Sequence, residues 1–204
     1  MLLNSDMSLL MGVSHMIGIT IRHAQHIEAR EKQFQSVIQV MVSSIDARDP
    51  VTKGHSEWVA EYATGICRAM NIDAEYREAV RVAALLHDYG KIGIPDALLK
   101  KKDKLTPVEY ECVKSHAQKT FDILSQMDFE GALQGVPEMA AAHHERIDGS
   151  GYPKGLRAED IPLGAKIIAV ADYFEALTAS RYYNHPMPPE QAMRMAGKAE
   201  GNAG

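Results

Sequence analysis

Seven residues of this chain combine side chains that bind metal ions with positions at the ends of apolar helical segments or inside them. They are His55, His87, Asp88, His116, His143, His144 and Asp172. A lone histidine on such a face is usually a core residue with satisfied hydrogen bonds. Burying this many polar groups without partners would cost about 1–3 kcal/mol each, which a marginally stable domain cannot absorb. Metal coordination is therefore the favoured explanation.

The adjacent residues His87 and Asp88 indicate a centre with two cations. A carboxylate can bridge two metal ions with its two oxygens while the neighbouring imidazole binds one of them. Two cations about 3.5–4 Å apart can clamp a reactive water and a phosphoryl oxygen. Mixed imidazole and carboxylate ligands suit iron, manganese, nickel or zinc better than magnesium or calcium.

Composition excludes several classes of protein. The 204 residues are 46% hydrophobic and 24% charged with a net charge of -5, which is typical of a globular chain and unfavourable for binding duplex nucleic acid. Cys67 and Cys112 lie far apart and outside any CxxC pair, so a reducing cytoplasm fits best. The apolar stretch 2–21 is interrupted by polar residues and lacks the basic start of a secretory signal. We therefore expect no membrane insertion by this segment.

A heptad pattern predicts one long helix at the N-terminus. Its first seam position carries Leu10, Ile17, Ala24, Glu31, Ile38 and Ile45, and its second carries Val13, Thr20, Ile27, Phe34 and Met41. Such a helix can lie on its own domain, or it can form a homodimer and transmit a signal from an upstream sensor domain or partner protein. We favour the second interpretation and expect residues 1–45 to be a signalling or dimerisation helix ahead of a domain at 46–204.

The remaining periodicity predicts an all-α fold. Three- and four-residue spacings of apolar side chains predict helices over 56–70, 74–88, 107–127, 137–144 and 163–180, with a last amphipathic piece from Pro189. No run of alternating residues indicates a sheet. The loop over 146–163 carries three glycines and two prolines, and a loop of this length is usually functional.

Two long motifs resemble a known family. Residues 87–91, which read HDYGK, resemble the HDxGK signature of HD-domain phosphohydrolases. Residues 143–153, which read HHERIDGSGYP, resemble the HHExxDGxGYP signature of the HD-GYP domain family. The resemblance continues through 47–56 and 169–178 and covers roughly 40–190. It implies an HD-domain helical bundle after the long N-terminal helix.

The resemblance also implies a function. HD-GYP domains hydrolyse cyclic di-GMP to pGpG or to GMP, and they bind two or three metal ions, commonly iron or manganese. We therefore expect a phosphodiesterase with two divalent ions per chain, iron or manganese first and nickel or zinc as alternatives, and a hydroxide that bridges them. Two alternatives stay open: an interaction module that responds to cyclic di-GMP with little turnover, and an HD phosphohydrolase that acts on another nucleotide.

Carried over by position, the resemblance assigns roles to residues of this chain. The first metal would be held by His55, His87, Asp88 and Asp172. The second would be held by Asp88, His116, His143 and His144. Catalytic roles fall to Asp88 and Lys91, and substrate contacts to Lys91, Gly151, Tyr152 and Arg181.

Several positions depart from the family pattern. Tyr89 replaces a small aliphatic residue, and Glu175 replaces a common aspartate, but neither is a metal position. Asn184 replaces a basic residue, which removes one phosphate contact. Val51 stands where members with three metals carry glutamate, so we expect two metals. The chain after residue 197 runs out in small residues, and we expect the closing helix of the domain to be truncated.

Overall fold

The computed structural model describes residues 4–48, 54–179, 187, 188, 190–192 and 195. The helices are α1 (Asn4–Arg48), α2 (His55–Ala69), α3 (Ala74–Leu86), α4 (Asp96–Leu99), α5 (Pro107–Leu124), α6 (Val136–Ala141) and α7 (Leu163–Thr178). Two short 3-10 helices cover Tyr89–Gly93 and Gly131–Gly135. In these described residues β-pairing is limited to an isolated bridge between Asp148 and Arg157. The predicted all-α class and the long N-terminal helix are confirmed.

The chain divides into two compact units, 1–40 and 41–204. In the first unit, α1 leaves many large apolar side chains exposed. The predicted domain boundary at residue 45 stays a prediction. None of the helices in the described ranges has the length and the hydropathy needed to cross a bilayer.

The core of the second unit surrounds α3. Its apolar residues are buried nearly all round, which matches the uninterrupted apolar end of the segment in the sequence. Helices α2, α6 and α7 pack against α3. Since α3 ends at Leu86, directly before His87, the chain leaves the centre of the core with the histidine and the aspartate still buried.

The structure differs from the prediction at α6. The helix ends at Ala141, so His143 and His144 lie in the turn that follows rather than in the helix. A turn leaves the backbone free to change direction. Both imidazoles can therefore face the same point, which consecutive residues of a helix cannot do.

Local sequence signals explain the position of α5. Thr106 Oγ1 accepts a hydrogen bond from the Glu109 amide, and Glu109 Oε2 accepts one from the Thr106 amide at 2.7 Å. Pro107 occupies the first helical position. This capping box fixes the helix start and therefore sets the register that brings His116 to the core side.

Gly90 allows α5 to approach the segment after α3. The Gly90 amide donates to Thr120 Oγ1 at 2.8 Å, and that hydroxyl donates to the His87 carbonyl at 3.0 Å. A Cβ on Gly90 would lie 2.0 Å from the His116 carbonyl oxygen. This distance leaves no room for any side chain, so the glycine is required by packing.

We therefore expect Gly90→Ala to lower the free energy of unfolding by about 1–3 kcal/mol or more, because α5 must move away. The matched control is Gly65→Ala, which adds a methyl group at an exposed helical position with nothing within 4 Å. That control should stabilise the chain by up to about 1 kcal/mol. Urea unfolding measures both changes. Equal stability of the Gly90 variant and the wild type would contradict this account.

Candidate metal centre

Five elements bring the predicted ligands together. His55 is the first residue of α2, His87 and Asp88 follow α3, and His116 lies in α5. The remaining ligands are His143 and His144 after α6, and Asp172 in α7. Long-range packing of the helices, not proximity along the chain, forms this site.

The ligand atoms form two groups. One contains His55, His87 and Asp88, and the other contains His116, His143 and His144, with the donor atoms of each group within 4.8 Å of one another. Asp172 adjoins the first group, since its Oδ1 lies 3.2 Å from His55 Nε2. Each group consists of residues to which the resemblance assigned one metal ion, and each could hold a metal ion.

Asp88 lies between the two groups. Its Oδ1 is 3.3 Å from His116 Nε2, and its Oδ2 is 3.4 Å from His87 Nε2. Lys91 Nζ donates to the same Oδ2 at 2.5 Å. Each carboxylate oxygen therefore faces a different group of imidazoles, which is the arrangement that a bridging ligand requires.

Three imidazoles share one orientation. The Nδ1–H groups of His87, His116 and His143 donate to the carbonyl three residues earlier in the chain, at 2.7, 2.7 and 2.6 Å. A hydrogen bond of this kind fixes the tautomer and leaves the lone pair on Nε2, as in many metal-bound histidines.

The residues present fit a metal. In the described part of the chain, the Nε2 atoms of His87, His116 and His143 are buried and have no hydrogen-bond partner. Two of these lone pairs face the oxygens of Asp88, so acceptors oppose acceptors across 3.3–3.4 Å. Buried polar atoms without a partner are costly, and divalent cations in the two groups would satisfy them.

Electrostatics keeps most of these groups in the protonation state that binds metal. Burial lowers the pKa of His143 and of His116. Burial and the neighbouring His116 lower the pKa of His144 to about 4. Burial alone would raise the pKa of Asp88, but Lys91 and the surrounding histidines hold it well below its usual range. At neutral pH the three imidazoles are uncharged and the carboxylate is ionised.

His55 behaves differently because two carboxylates flank it. Its Nδ1 lies 2.5 Å from Glu175 Oε2, and its Nε2 faces Asp172. Burial alone would lower the pKa of His55, but the hydrogen bonds to Asp172 and Glu175 raise it to about 9. Since a metal ligand must be deprotonated, a cation at His55 has to displace this proton.

The sequence prediction gave Glu175 no role, although a signal was available. Glu175 follows Asp172 by three residues in α7, so both carboxylates lie on one helix face. Glu175 holds the outer nitrogen of His55, which orients the ring toward the first group.

A buried carboxylate shapes the glycine-rich loop. Glu145 Oε1 accepts from the Lys154 amide at 2.7 Å, and its Oε2 accepts from the Leu156 amide at 2.9 Å. A Cβ on Gly151 would lie 2.3 Å from the Arg146 backbone nitrogen. The loop therefore closes tightly and brings the Tyr152 ring to 4.7 Å from the His144 ring, centre to centre.

A cleft of about 610 Å³ opens beside the second group. His143, His144, Tyr152 and Asp172 line it, together with Lys114, whose Nζ lies 5.2 Å from the centre of the Tyr152 ring. This volume is within the range of about 300–1,000 Å³ that is common for small-molecule sites. The cleft therefore combines imidazoles, an aromatic face and a cation.

The predicted substrate residues have different outcomes. Tyr152 lines the cleft, and so does Gly151. Lys91 forms an ion pair with Asp88 and is partly buried. Arg181 lies outside the described residues, as do Asn184 and Val51, so the expectations placed on them stay predictions.

The helical fold and the paired groups of imidazoles and carboxylates define a class of metal-binding helical domain. A sequence model described as the HD domain matches residues 39–202. The chain belongs to the HD domain family, and the predicted HD-GYP resemblance is confirmed.

Two curated relatives share much of the sequence. The chain is 39% identical over 82% of its length to 3'3'-cGAMP-specific phosphodiesterase 3 of Vibrio cholerae. It is 42% identical over 78% of its length to a cyclic di-GMP phosphodiesterase of Thermotoga maritima. The chain spans 36% and 43% of the length of these relatives, respectively.

The fold also matches a solved structure. The HD domain of the L. monocytogenes phosphodiesterase PgpH, in complex with cyclic-di-AMP, aligns with 79% of this chain and 81% of its own, with a TM-score of 0.59. The sequence identity is 20%, so this likeness concerns the fold.

We expect Asp88→Ala to bind fewer metal ions than any variant that lacks a single histidine ligand, because Asp88 faces both groups. After anaerobic loading with Fe(II) or Mn(II), the wild type should hold about two ions per chain. The control Asp122→Ala removes an exposed carboxylate from α5, the helix of His116, and should load as the wild type does. Elemental analysis gives the metal content. Retention of both ions by Asp88→Ala would show that this carboxylate does not bridge them.

Proposed function

We propose that this chain is a metal-dependent phosphodiesterase that hydrolyses cyclic di-GMP to pGpG, GMP or both. The single observation that carries the proposal is the position of Asp88 between His87 and His116, whose buried Nε2 atoms have no hydrogen-bond partner in the described residues. The activities for which the two relatives are named support a cyclic dinucleotide as the substrate.

The proposed cofactor is a pair of divalent ions, iron or manganese first and nickel or zinc as alternatives. His55, His87, Asp88 and Asp172 would hold one ion. Asp88, His116, His143 and His144 would hold the other. Such a pair, when bound, polarises a phosphoryl oxygen and lowers the pKa of water toward neutrality.

Asp88 and Lys91 are the proposed catalytic residues. Asp88 would be a ligand of both ions and would so keep the water and the phosphate aligned for reaction. Lys91 Nζ donates a hydrogen bond to Asp88 Oδ2, so a positive charge in addition to the metal ions would be available beside the reaction centre. An ammonium at this place stabilises a phosphoryl oxygen as it gains negative charge during attack.

The proposed reaction breaks one phosphodiester of the ring. The oxygen of water forms a bond to phosphorus, the bond from phosphorus to the ribose 3′ oxygen breaks, and that oxygen leaves with a proton. The product is linear pGpG. The same reaction at the remaining diester gives GMP.

The walls of the cleft offer contacts for the rest of the substrate. The face of Tyr152 can stack on a guanine, and Gly151 keeps the loop backbone close to the ligand. Lys114 Nζ lies 5.2 Å from the Tyr152 ring centre and could exchange its ion pair with Glu111 for a contact with the second phosphate. Arg181 is the further proposed substrate contact.

Two other functions remain candidates. The Vibrio cholerae relative named for 3'3'-cGAMP favours a mixed cyclic dinucleotide as an alternative substrate. A binding module with little turnover is the alternative from the sequence, because Asn184 removes one basic residue.

The three functions differ in one assay. The purified, Mn(II)-loaded chain should hydrolyse cyclic di-GMP with a kcat/KM at least about tenfold above that for 3'3'-cGAMP or cyclic di-AMP, because a site built for guanine leaves polar groups unpaired with adenine. A higher value for 3'3'-cGAMP would make the mixed dinucleotide the substrate. Calorimetric binding of cyclic di-GMP without hydrolysis would identify a binding module.

Lys91→Ala should lower kcat by about tenfold or more, since a well-placed charge at the transition state is worth this much. Its metal content should equal that of the wild type, because Lys91 is assigned to no metal. Lys102→Ala, which removes an exposed lysine, is the control and should leave kcat unchanged. An unchanged kcat in Lys91→Ala would make this residue a structural partner of Asp88 alone.

We also propose that α1 joins two copies of this chain in the cytoplasm, where an upstream sensor domain or partner protein would supply the signal. The predicted heptad seam is exposed in the first unit. Leu10, Val13, Ile17 and Ile27 are 55%, 47%, 54% and 56% exposed. A single helix cannot bury such a seam, whereas a second copy of α1 can bury it by knobs-into-holes packing.

Ile17→Glu should therefore convert the dimer into a monomer, because a charge would be buried in the seam. The control Ala29→Glu introduces the same charge at an exposed position away from both seam positions and should remain dimeric. Analytical ultracentrifugation measures the mass of each. A wild-type monomer at all concentrations tested would contradict the proposed homodimer.

A further inference from the structure

The last turn of α1 contacts Gly54, which directly precedes His55, and the segment 92–96, which follows Lys91. Two apolar residues fix this turn in the second unit, since Val42 and Ile45 are 3% and 6% exposed. After them, Asp46 extends its side chain to Gly54 and Arg48 extends its side chain to Ile94.

Arg48 holds the segment that follows Lys91. Its guanidinium donates to the Ile92 carbonyl, and its Nη2 donates to the Ile94 carbonyl at 3.0 Å. Nη2 also pairs with Asp96 Oδ1 at 2.5 Å. One planar group thus fixes two backbone carbonyls and a carboxylate, which a flexible point charge such as lysine cannot do.

This segment is directly connected to Lys91. The Ile94 amide donates to the Lys91 carbonyl at 3.0 Å, and the Lys91 amide donates to the Asp88 carbonyl at 2.9 Å. A displacement at Ile92 or Ile94 is therefore passed through two hydrogen bonds to the residues that face both groups.

Asp46 holds Gly54, the residue before His55. Its Oδ2 accepts from the Gly54 amide at 3.0 Å. Gly54 has a φ of +76°, a conformation that favours glycine, and it directly precedes His55. The carboxylate therefore fixes the backbone from which the His55 side chain starts.

We propose that Asp46 and Arg48 are positioning residues, through which the end of α1 sets the geometry of His55 on one side and of Asp88 and Lys91 on the other. The activity part of this inference rests on the proposed function. A purely structural role would be to fasten α1 to the domain, and it would affect all readouts of a variant equally.

Hydrogen exchange of the metal-free chain tests the role of Arg48 without any assay of activity. In Arg48→Ala, the amides of Lys91 and Ile94 should exchange at least about tenfold faster, while amides in the centre of α3 stay protected. Arg48→Lys should also exchange faster, because an ammonium cannot bond both carbonyls. Lys100→Ala is the control, since Lys100 bonds the same Asp96 carboxylate but neither carbonyl. Unchanged exchange in Arg48→Ala would overturn the inference for this residue.

Kinetics then separates positioning from fastening. Arg48→Ala should lower kcat by about tenfold with unchanged metal content, since small misplacements of a reacting group are costly. In a Lys91→Ala background the same substitution should change kcat by less than about twofold, because the two residues would act as one unit. Equal losses in both backgrounds would show that Arg48 does not act through Lys91.

Asp46 should show a different signature. Asp46→Ala should weaken Mn(II) binding at one site by at least about tenfold in calorimetry, because residues that orient metal ligands affect affinity by such factors. Asp46→Asn keeps an oxygen that can accept from Gly54 and should restore it. Unchanged affinity in Asp46→Ala, or failure of Asp46→Asn to rescue, would overturn this part. If no dinucleotide is hydrolysed, the proposed function fails, whereas the exchange and metal-binding results still decide the positioning roles.

Discussion

The structure of the second unit depends on lone pairs that are buried without hydrogen bonds. The Nε2 atoms of His87 and His116 face the oxygens of Asp88, His143 lies in the second group, and none of the three Nε2 atoms has a hydrogen-bond partner in the described residues. A helical core tolerates this only if a cation balances the acceptors. Each of α2, α3, α5, α6 and α7 either carries a ligand or ends just before one. The helices of the second unit therefore position the imidazole nitrogens and carboxylate oxygens of both groups.

The two groups differ in charge, although both contain imidazoles. Asp88 and Asp172 contribute to the first group, and Glu175 contacts its His55. The second group consists of three histidines, with Asp88 as the shared anion. In the first group, Asp88, Asp172 and Glu175 would balance the charge of a cation. In the second group, this balance would come from Asp88. The electrostatic link between the groups is therefore one carboxylate, held in place by Lys91 and by burial.

Local signals in the sequence predicted most of the fold. Apolar spacing predicted α2, α3, α5 and α7, and the motif at 87–91 pointed to the ligands next to α3. Residues whose partners are remote in sequence were missed. Glu175 is 120 residues from His55, and Arg48 is 46 residues from Ile94. Arg48 carries no local pattern, since a single charged residue on a helix is usually solvated, and the spacing of Glu175 from Asp172 indicates a shared helix face but not the partner His55. The end of α6 was misjudged because the apolar run continues into the turn.

Gly90 shows that the five-residue HDYGK string combines independent requirements. His87 and Asp88 belong to the first group, Lys91 Nζ donates to Asp88, and Gly90 contacts α5 at the His116 carbonyl and at Thr120. A substitution of Lys91 would therefore leave this packing in place, whereas a substitution of Gly90 would push α5 away from the segment after α3. The five residues thus carry a constraint of helix packing beside their ligand atoms. A sequence that kept the glycine and lost the lysine would retain the architecture of this domain.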